Sequence, residues 1–428
     1  MNDNFRNETF RILAENQTVS NDTWKTGLNN NDLIIGPSGA GKTRGYVLPN
    51  IMQCNESIIV ADSKNTLRDK TQKLLRENGY HVININISDL SDASCDGYNP
   101  LDYIHYDKKK GLYNEQDIMT VSACLVPCQD LREPFWECAA RMFLDCLIAY
   151  VLECLPEQEH HLGSVETLFF EMGNKYFHRM FNELGELNPQ SFAYRRYKLA
   201  MTLAPADRTF SSVMGILAEK LSTLLTEDVK ALFQKPRKIR FQDLGRRKSA
   251  FFIGVSDTDR SCDRLVTLFF AQALHELCMS ADMDYPSHRL PVPVRLILDD
   301  FAANGSIPDL DKIISVIRSR EISVSIILQS LSQLEALYGD ARCKTILNNC
   351  DTCLYLGGQD VDTARYISVK ADKSIHSILN MPLDNAWLFQ RGHMPRSVRK
   401  YVPETETIAA ENTKHNKERK NVKNVRYL

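Results

Sequence analysis

The sequence lacks any run of about 18 apolar residues, the length that a membrane-spanning helix needs. Its most apolar long segment, residues 135–155, carries Glu137, Arg141 and Asp145 four residues apart, which places these charges in one stripe of a helix. This pattern predicts a buried helix of a soluble bundle. A large charge of one sign is also missing, because 52 lysines and arginines are balanced by 54 acidic residues. Any surface for nucleic acid must therefore be local.

Internal repeats, low-complexity tracts and paired metal-ligand motifs are missing as well. The 12 cysteines come without a secretory signal, which indicates reduced thiols rather than a disulfide framework. Cys350 and Cys353 have no partner pair at the spacing of a zinc site, and neither have Cys124 and Cys128. We interpret them as buried free thiols. No Ser/His/Asp or Cys/His set indicates nucleophilic catalysis.

One motif is present in full, at residues 36–43. The segment GPSGAGKT follows an apolar run and matches G-x-x-x-x-G-K-[ST] at every fixed position. Glycines let backbone N–H groups surround a phosphate, while the lysine neutralises its charge and the Thr hydroxyl binds Mg²⁺. The alternative is a glycine-rich turn that binds no nucleotide. The predicted nucleotide-binding residues are Gly36, Pro37, Ser38, Gly39, Ala40, Gly41, Lys42 and Thr43.

The order of strand and helix patterns predicts an α/β protein with a mostly parallel central sheet flanked by helices. The pattern is helical throughout between about 115 and 203. We therefore expect an α/β core formed by residues 33–110 and 205–400, with an all-α domain inserted at 111–204. Residues 1–32 are expected to be a lead-in. The basic segment 401–428 is expected to be a disordered tail, or alternatively a contact for nucleic acid or a partner. The main predicted strands are 57–62, 81–87, 249–255, 294–299, 322–328, 353–356 and 387–390.

Two adjacent acids, Asp299 and Asp300, follow one of these strands. The carboxyl end of a strand is where an open α/β sheet places its ligands. With a phosphate-binding loop upstream, we expect Asp299 in the Mg²⁺ shell and Asp300 to orient or activate the attacking water. The alternative is an acidic turn after a strand.

Two arginines and a glutamine add to this set. Arg318 and Arg320 cannot share one helix face, and in a ring of identical subunits one of them could reach the neighbour's γ-phosphate. Surface ion pairs with Glu321 or Asp311 are the alternative. Gln329 directly follows the next strand and could sense the γ-phosphate, with helix capping as its alternative role.

The chain also contains short segments in the order seen in type IV secretion coupling proteins. It resembles the TraG/TraD-type conjugative DNA-transfer ATPases over roughly residues 20–402, and most of all the versions from Gram-positive mobile elements. The segments that carry the resemblance are residues 29–33, 49–50, 62–64, 98–101, 135–136, 256–259, 299–302, 317–322 and 349–352.

The resemblance implies a RecA-like P-loop motor domain that carries an all-α domain. It further implies a homohexameric ring at the cytoplasmic mouth of a secretion channel, or a monomer when nucleotide and DNA are absent. Such proteins receive a relaxase–DNA complex and couple ATP hydrolysis to its export. The family's functional positions correspond to Asp300, Arg318 and Gln329 as the expected catalytic residues. They correspond to Thr43 and Asp299 as the expected Mg²⁺ ligands.

Three departures from the family pattern are visible. The family's N-terminal membrane anchor is missing, so we expect a truncated copy or a soluble form that a separate membrane partner recruits. Its location would be the cytoplasm, peripheral to the inner face of the membrane. The family's Asp-Pro-Lys-Gly-Glu stretch reads DSKNT at 62–66. The second acid, usually Glu, is Asp300, which predicts slow hydrolysis.

Two functions remain open from the sequence. The first is a DNA-pumping ATPase that acts on single- or double-stranded DNA irrespective of its sequence. Its partners would be a relaxase or other secreted protein and a channel or anchor protein. The second is a nucleotide-binding docking adaptor that recognises secreted proteins through the helical domain and hydrolyses ATP weakly or not at all.

Overall fold

The structure, a computed structural model, describes residues 8–403 except 64, 91, 93, 129–131, 174, 237, 257–258 and 301–305. The predicted basic tail beyond residue 403 lies outside the described residues, and so do parts of the segments 62–64, 256–259 and 299–302. The strands are β1 (Phe10–Ala14), β2 (Gln17–Ser20), β3 (Asp32–Ile35), β4 (Ser57–Asp62), β5 (His81–Asn86), β6 (Tyr106–Asp107), β7 (Leu112–Tyr113), β8 (Ser249–Gly254), β9 (Val294–Leu298), β10 (Ile322–Leu328), β11 (Thr352–Tyr355), β12 (Asn385–Gln390) and β13 (Arg396–Arg399).

Helices connect these strands and fill the middle of the chain. They are α1 (Thr23–Thr26), α2 (Leu48–Met52), α3 (Thr66–Glu77), α4 (Glu115–Leu125), α5 (Phe135–Cys154), α6 (Leu162–Phe170), α7 (Lys175–Leu187), α8 (Phe192–Ala200), α9 (Asp207–Leu224), α10 (Glu227–Gln234), α11 (Gln242–Arg246), α12 (Asp263–Asp284), α13 (Leu310–Ile313), α14 (Leu331–Asn348), α15 (Val361–Ala371) and α16 (Ile375–Leu379).

A nine-stranded sheet organises the α/β part, in the order β13-β12-β11-β3-β10-β9-β4-β8-β5. The seven strands from β11 to β5 are parallel, and β12 and β13 add an antiparallel edge. The predicted mostly parallel sheet is thereby confirmed. β4, β9 and β10 are buried along their whole length, because helices cover both faces, and this explains their continuous apolar runs. The prediction missed β13, whose sequence RSVR has little apolar character.

From α4 to α10 the chain folds into helices that pack around α5. The rings of Phe143 on α5 and Phe210 on α9 meet edge to face at 5.5 Å, so α9 packs with this helical group. Asp145 of the predicted polar stripe is buried, and its Oδ2 lies 3.6 Å from Arg196 Nε on α8. Arg264 on α12 donates to the carbonyl of Lys220, which joins the helical group to the sheet-bearing part.

A buried ionic cluster lies beneath the strands that lead to the phosphate-binding loop. Asp32, at the start of β3, accepts hydrogen bonds from Arg11 Nε (2.8 Å), Tyr46 Oη (2.5 Å) and Arg295 Nη1 (3.3 Å). Arg295 belongs to β9 and also donates to Ser325 Oγ on β10 (3.0 Å). The cluster therefore fixes three neighbouring strands and the segment after the loop relative to one another. We call these residues the Asp32 cluster.

Among the residues that the structure describes, no helix combines the length and the apolar character that crossing a bilayer requires.

Candidate functional site

The site forms where the carboxyl ends of four adjacent strands, β3, β10, β9 and β4, meet at one edge of the sheet. Ligands of open α/β sheets bind at this edge. The phosphate-binding loop follows β3, and the other three strands lead to Gln329, Asp299 and Asp62. Segments that are far apart in the chain are thus brought together by parallel pairing.

The loop owes its shape to the small size of its glycines. A Cβ on Gly36 would come within 2.9 Å of Leu356 Cβ on the neighbouring segment, so a side chain has no room there. Gly41 has φ +95°, a backbone conformation that side chains disfavour. Lys42 is buried, and its Nζ donates to the carbonyls of Gly36 (2.7 Å) and Pro37 (3.1 Å), so the loop wraps around the ammonium group.

Thr43 of the phosphate-binding loop and Asp299 after β9 are in direct contact. Thr43 Oγ1 donates to Asp299 Oδ2 at 2.7 Å, although the two residues come from opposite halves of the sequence. Asp299 is buried, and burial raises the pKa of its carboxyl above the usual value, with the nearby charge of Asp300 acting in the same direction. A hydroxyl and a buried carboxylate at this separation are the oxygen donors that Mg²⁺ accepts. The chemistry of the pair therefore fits a magnesium ion.

Asp300 and Gln329 complete the acidic side of the site. The backbone of Asp300 is left-handed (φ +49°), and its N–H donates to Asp299 Oδ1 at 3.1 Å. Gln329 Nε2 donates to Asp300 Oδ1 at 3.3 Å, so the glutamine contacts the second acid directly. Its backbone N–H donates to Gln333 Oε1 on α14 at 3.0 Å. The structure therefore places all three predicted residues of this edge together.

Two cavities border the loop. The smaller, of about 360 Å³, is lined by Lys42, Thr43, Asp299, Asp300 and Gln329 together with the ends of β4 and α3. The larger, of about 1240 Å³, lies on the other side of the loop and is bounded by the segment after β11 and by the β12–β13 edge. The loop therefore separates an acidic cavity from a wider one that is lined by both apolar and polar residues.

The two candidate arginines lie away from this edge. Both belong to the 3₁₀ helix Ile317–Arg320, which precedes β10 and so sits at the amino edge of the sheet. Arg318 Nη2 donates to the carbonyl of Thr23 at 2.8 Å, and Arg320 forms a two-point ion pair with Asp282. The ion pairs considered with Glu321 and Asp311 are wrong, because these acids pair with Arg289 and Arg342 instead.

Sequence reasoning missed two contributors to the site. Arg44 directly follows the motif and lines both cavities, and its position beside Thr43 was the available signal. Asp62 also lines the smaller cavity, where its carboxylate accepts from the backbone N–H groups of Thr66, Leu67 and Arg68. Asp62 thereby ties the end of β4 to the first turn of α3 at the site.

The sequence is similar to those of known proteins. The chain is 25% identical over 338 residues to Protein VirD4 of Rhizobium radiobacter, a match that covers 78% of this chain and 47% of VirD4. It is 23% identical over 350 residues to Conjugal transfer protein TraG of the same organism, with 51% of TraG covered. The chain therefore spans about half the length of the curated relatives it matches.

Solved structures show the same fold. The bacterial conjugative coupling protein TrwBdeltaN70, in its trigonal form with sulphate, superposes with a TM-score of 0.68 at 15% identity and covers 93% of this chain and 91% of its own. The plasmid coupling protein TrwB in complex with the ATP analogue ADPNP gives a TM-score of 0.66 at 16% identity, with 93% and 90% covered. The expected RecA-like fold is thus confirmed.

A family model settles the relationship. The model described as Type IV secretory system Conjugative DNA transfer matches residues 1–374. By this match the chain belongs to the type IV secretory system family of conjugative DNA-transfer proteins.

Proposed function

We propose that this chain is an ATP-dependent coupling protein that brings DNA to a type IV secretion channel during conjugative transfer. The observation that carries the proposal is the contact of Thr43 with Asp299, which joins the phosphate-binding loop to the acidic strand end. Family membership directs the proposal towards DNA transfer, and the related TrwB is a nucleotide-binding plasmid coupling protein.

The residues present fit ATP and Mg²⁺. The loop would surround the β-phosphate with its N–H groups, and Lys42 would exchange its carbonyl partners for phosphate oxygens. Thr43 and Asp299 would hold the ion, whose charge neutralises the transferred phosphate. The γ-phosphate of ATP would then lie in the acidic cavity. The wider cavity, with Leu356 and Met381 among its apolar walls, has room for the nucleoside.

Hydrolysis would use the remaining residues of the edge. Asp300 would accept a proton from, or orient, the attacking water, because its carboxylate borders the cavity beside Asp299. Gln329 donates to the same carboxylate and heads the loop between β10 and α14. A change at the γ-phosphate would therefore be passed to α14 through this contact.

Arg318 would act on a neighbouring subunit. At about 3.3 Å per residue, the seven residues of β10 separate the arginine from its own site by about 23 Å. A finger in trans requires a ring, and we propose a homohexamer, with Arg318 rather than the ion-paired Arg320 as the finger. The Thr23 carbonyl that now accepts from Arg318 would be released on assembly.

The helical group would be the separate substrate-facing unit. We propose that it comprises the predicted inserted domain together with α9 and α10, since Phe210 on α9 packs on α5 and α10 packs on α6. Relaxase or another secreted protein would be recognised there, and DNA would follow the ring channel irrespective of its sequence. We propose a cytoplasmic location at the inner face of the membrane, reached through a channel or anchor protein.

A DNA-stimulated ATPase assay on the purified chain tests the proposal. Lys42→Ala should abolish ATP binding and turnover, whereas Lys344→Ala, which alters an exposed lysine paired with Asp340, should leave both unchanged. DNA should raise the rate of the parent protein. Nucleotide binding without any turnover, with or without DNA, would overturn the motor function and leave a docking adaptor.

A further inference from the structure

A second group of ionisable side chains lies where α4 packs against α12, and it lines neither cavity beside the phosphate-binding loop. His105 precedes α4, Asp117 lies in its first turn, and His275 and Glu276 are neighbours on α12. His105 Nδ1 is 2.8 Å from Asp117 Oδ2, and His275 Nε2 is 3.7 Å from Asp117 Oδ1. Two imidazoles thus approach one carboxylate from two different segments.

The spacing of these atoms suits a metal ion. One ligand atom each from His105, Asp117 and His275 lies within 4.8 Å of the others. Ligand atoms about 2.0–2.2 Å from a tetrahedral zinc ion are about 3.3 Å apart. This separation lies between the 2.8 Å from His105 and the 3.7 Å from His275 to the two oxygens of Asp117. Small side-chain rotations would bring the three atoms to that separation. The exposed ring of His275, with 53% of its side chain accessible, leaves an entry path for the ion.

Glu276 gives an independent observation. Its side chain is only 3% exposed, and among the described residues its Oε1 has no partner with hydrogen-bond geometry. That oxygen lies 3.2 Å from Nε2 of His105, the nitrogen that does not face Asp117. Metal-bound histidines usually donate their second ring N–H to a carboxylate, which fixes the ring and raises its basicity. Gln242 donates to the other oxygen and holds the carboxylate in place.

We propose that His105, Asp117 and His275 bind a divalent transition-metal ion, with Glu276 as the positioning residue for His105. Two imidazole nitrogens and one carboxylate favour zinc or a similar ion over Mg²⁺, which prefers oxygen ligands. The ligands come from the start of the helical group and from a helix that packs on the sheet. A bound ion would therefore fasten the helical group to the sheet-bearing part, independently of nucleotide.

The same residues have a metal-free alternative. The hydrogen bond to Asp117, together with the carboxylate of Glu276 beside the ring, raises the pKa of His105 to about 10, so a protonated His105 would join both acids as an ion bridge. Such a bridge leaves His275 with no necessary role, because His275 is largely exposed and lies 3.7 Å from the carboxylate of Asp117. His275 is therefore the residue that separates the two arrangements.

The experiment is a titration of the full chain with Zn²⁺ and with Co²⁺. The protein is stripped with EDTA, kept reduced, free of nucleotide, and supplied with excess Mg²⁺ to fill oxygen-rich sites. Cobalt spectra distinguish this site from the 12 cysteines, because thiolate ligands add intense near-ultraviolet bands. We expect a single equivalent bound without thiolate bands, together with a Zn²⁺-dependent rise of the unfolding temperature.

Variants decide between the arrangements. His275→Gln should weaken Zn²⁺ binding at least tenfold and abolish the Zn²⁺-dependent rise, while the metal-free unfolding temperature stays unchanged. Glu276→Gln should weaken binding by about 10–100-fold. His376→Gln, an exposed helical histidine near Asn380, should alter neither value. Unchanged Zn²⁺ affinity in His275→Gln, or no Zn²⁺ binding by the parent chain, would overturn the proposal and leave the ion bridge.

Discussion

Among single residues, Asp300 combines its position at the candidate site with an unusual backbone conformation. Its φ of +49° is left-handed, a region that Asp and Asn enter more readily than Glu. The shorter acid, which departs from the family's usual Glu, is therefore compatible with this turn. The left-handed turn would compensate for the shorter side chain of Asp, since Asp300 borders the cavity and contacts Gln329.

Substitutions at Asp300 test its role in turnover. Asp300→Asn should bind ATP normally but lose about 10²–10⁴-fold in hydrolysis rate, the usual contribution of a positioned acid–base group. Asp300→Glu should keep or raise the rate, at a stability cost of about 1 kcal/mol from the left-handed backbone. Steady-state hydrolysis and nucleotide affinity are the measurements. Parent-like turnover in Asp300→Asn would make this residue a simple turn residue.

The buried carboxyl of Asp299 affects the free energy of unfolding as well as the candidate site. Because its pKa is raised by burial, the ionised carboxylate costs folding free energy at neutral pH, and this cost disappears as pH falls through the raised pKa towards 3.8. Nucleotide-free Asp299→Asn should therefore be more stable than the parent at pH 7, by about 0.5–2 kcal/mol. The difference should shrink towards pH 4, and Mg²⁺-dependent nucleotide binding should weaken.

Thermal unfolding of both proteins across this pH range measures the difference. Asp362→Asn, at an exposed residue paired with Arg365, is the control and should show no such trend. A destabilised Asp299→Asn at neutral pH would mean that the contact with Thr43 outweighs the cost of burial.

At the scale of elements, the Asp32 cluster keeps β3, β9 and β10 in register beneath the site. Arg295 is 1% exposed, and it contacts Asp32, Glu56 and Ser325. Through Tyr46 the same cluster reaches the helix that follows the phosphate-binding loop. The strand ends that carry the proposed catalytic residues are therefore supported by buried charges beneath them.

Removing one member of the cluster should be costly. Arg295→Met should destabilise the protein by about 3–5 kcal/mol, because buried acids lose their partner. Arg179→Met, which breaks an exposed pair with Glu183, should change stability by less than about 0.5 kcal/mol. Chemical denaturation of both variants provides the comparison. Equal denaturation midpoints would show that the cluster adds no net stability.

At the scale of the whole molecule, the position of Arg318 allows a test of assembly. Arg318→Ala subunits should bind ATP but lose about 10³–10⁵-fold in turnover, the range for an arginine finger. Mixing them with Lys42→Ala subunits should restore part of the activity, wherever an intact arginine meets an intact site. Hydrolysis measured across mixing ratios decides this. A strictly additive loss at every ratio would argue against a finger in trans.

DNA binding provides the second test at this scale. With a net charge of only −2, binding must use a local set of lysines and arginines. If six to ten phosphates are contacted, affinity should fall about 10³–10⁵-fold between 50 and 200 mM salt, and equally for unrelated sequences. Fluorescence anisotropy with two labelled oligonucleotides measures both. Affinity that is insensitive to salt, or specific to one sequence, would contradict a channel that contacts phosphates.

Local patterns in the sequence predict the phosphate-binding loop, the acid pair and most strands of the sheet. These features depend on local spacing: the glycines of residues 36–43, apolar runs such as Ser57–Asp62, and acids placed directly after a strand. Parallel pairing then brings such strand ends to one edge by geometry alone, so the contact of Thr43 with Asp299 was within reach of prediction.

The contacts between residues that are distant in the chain could not be predicted from local patterns. The Thr23 carbonyl that accepts from Arg318, the Asp32 cluster, and the approach of His105 to His275 have no signal in local spacing. The helix of the two arginines proved to be a 3₁₀ turn at the opposite edge of the sheet. The physical reason is that periodicity sets elements and strand ends, whereas packing between distant segments sets which side chains meet.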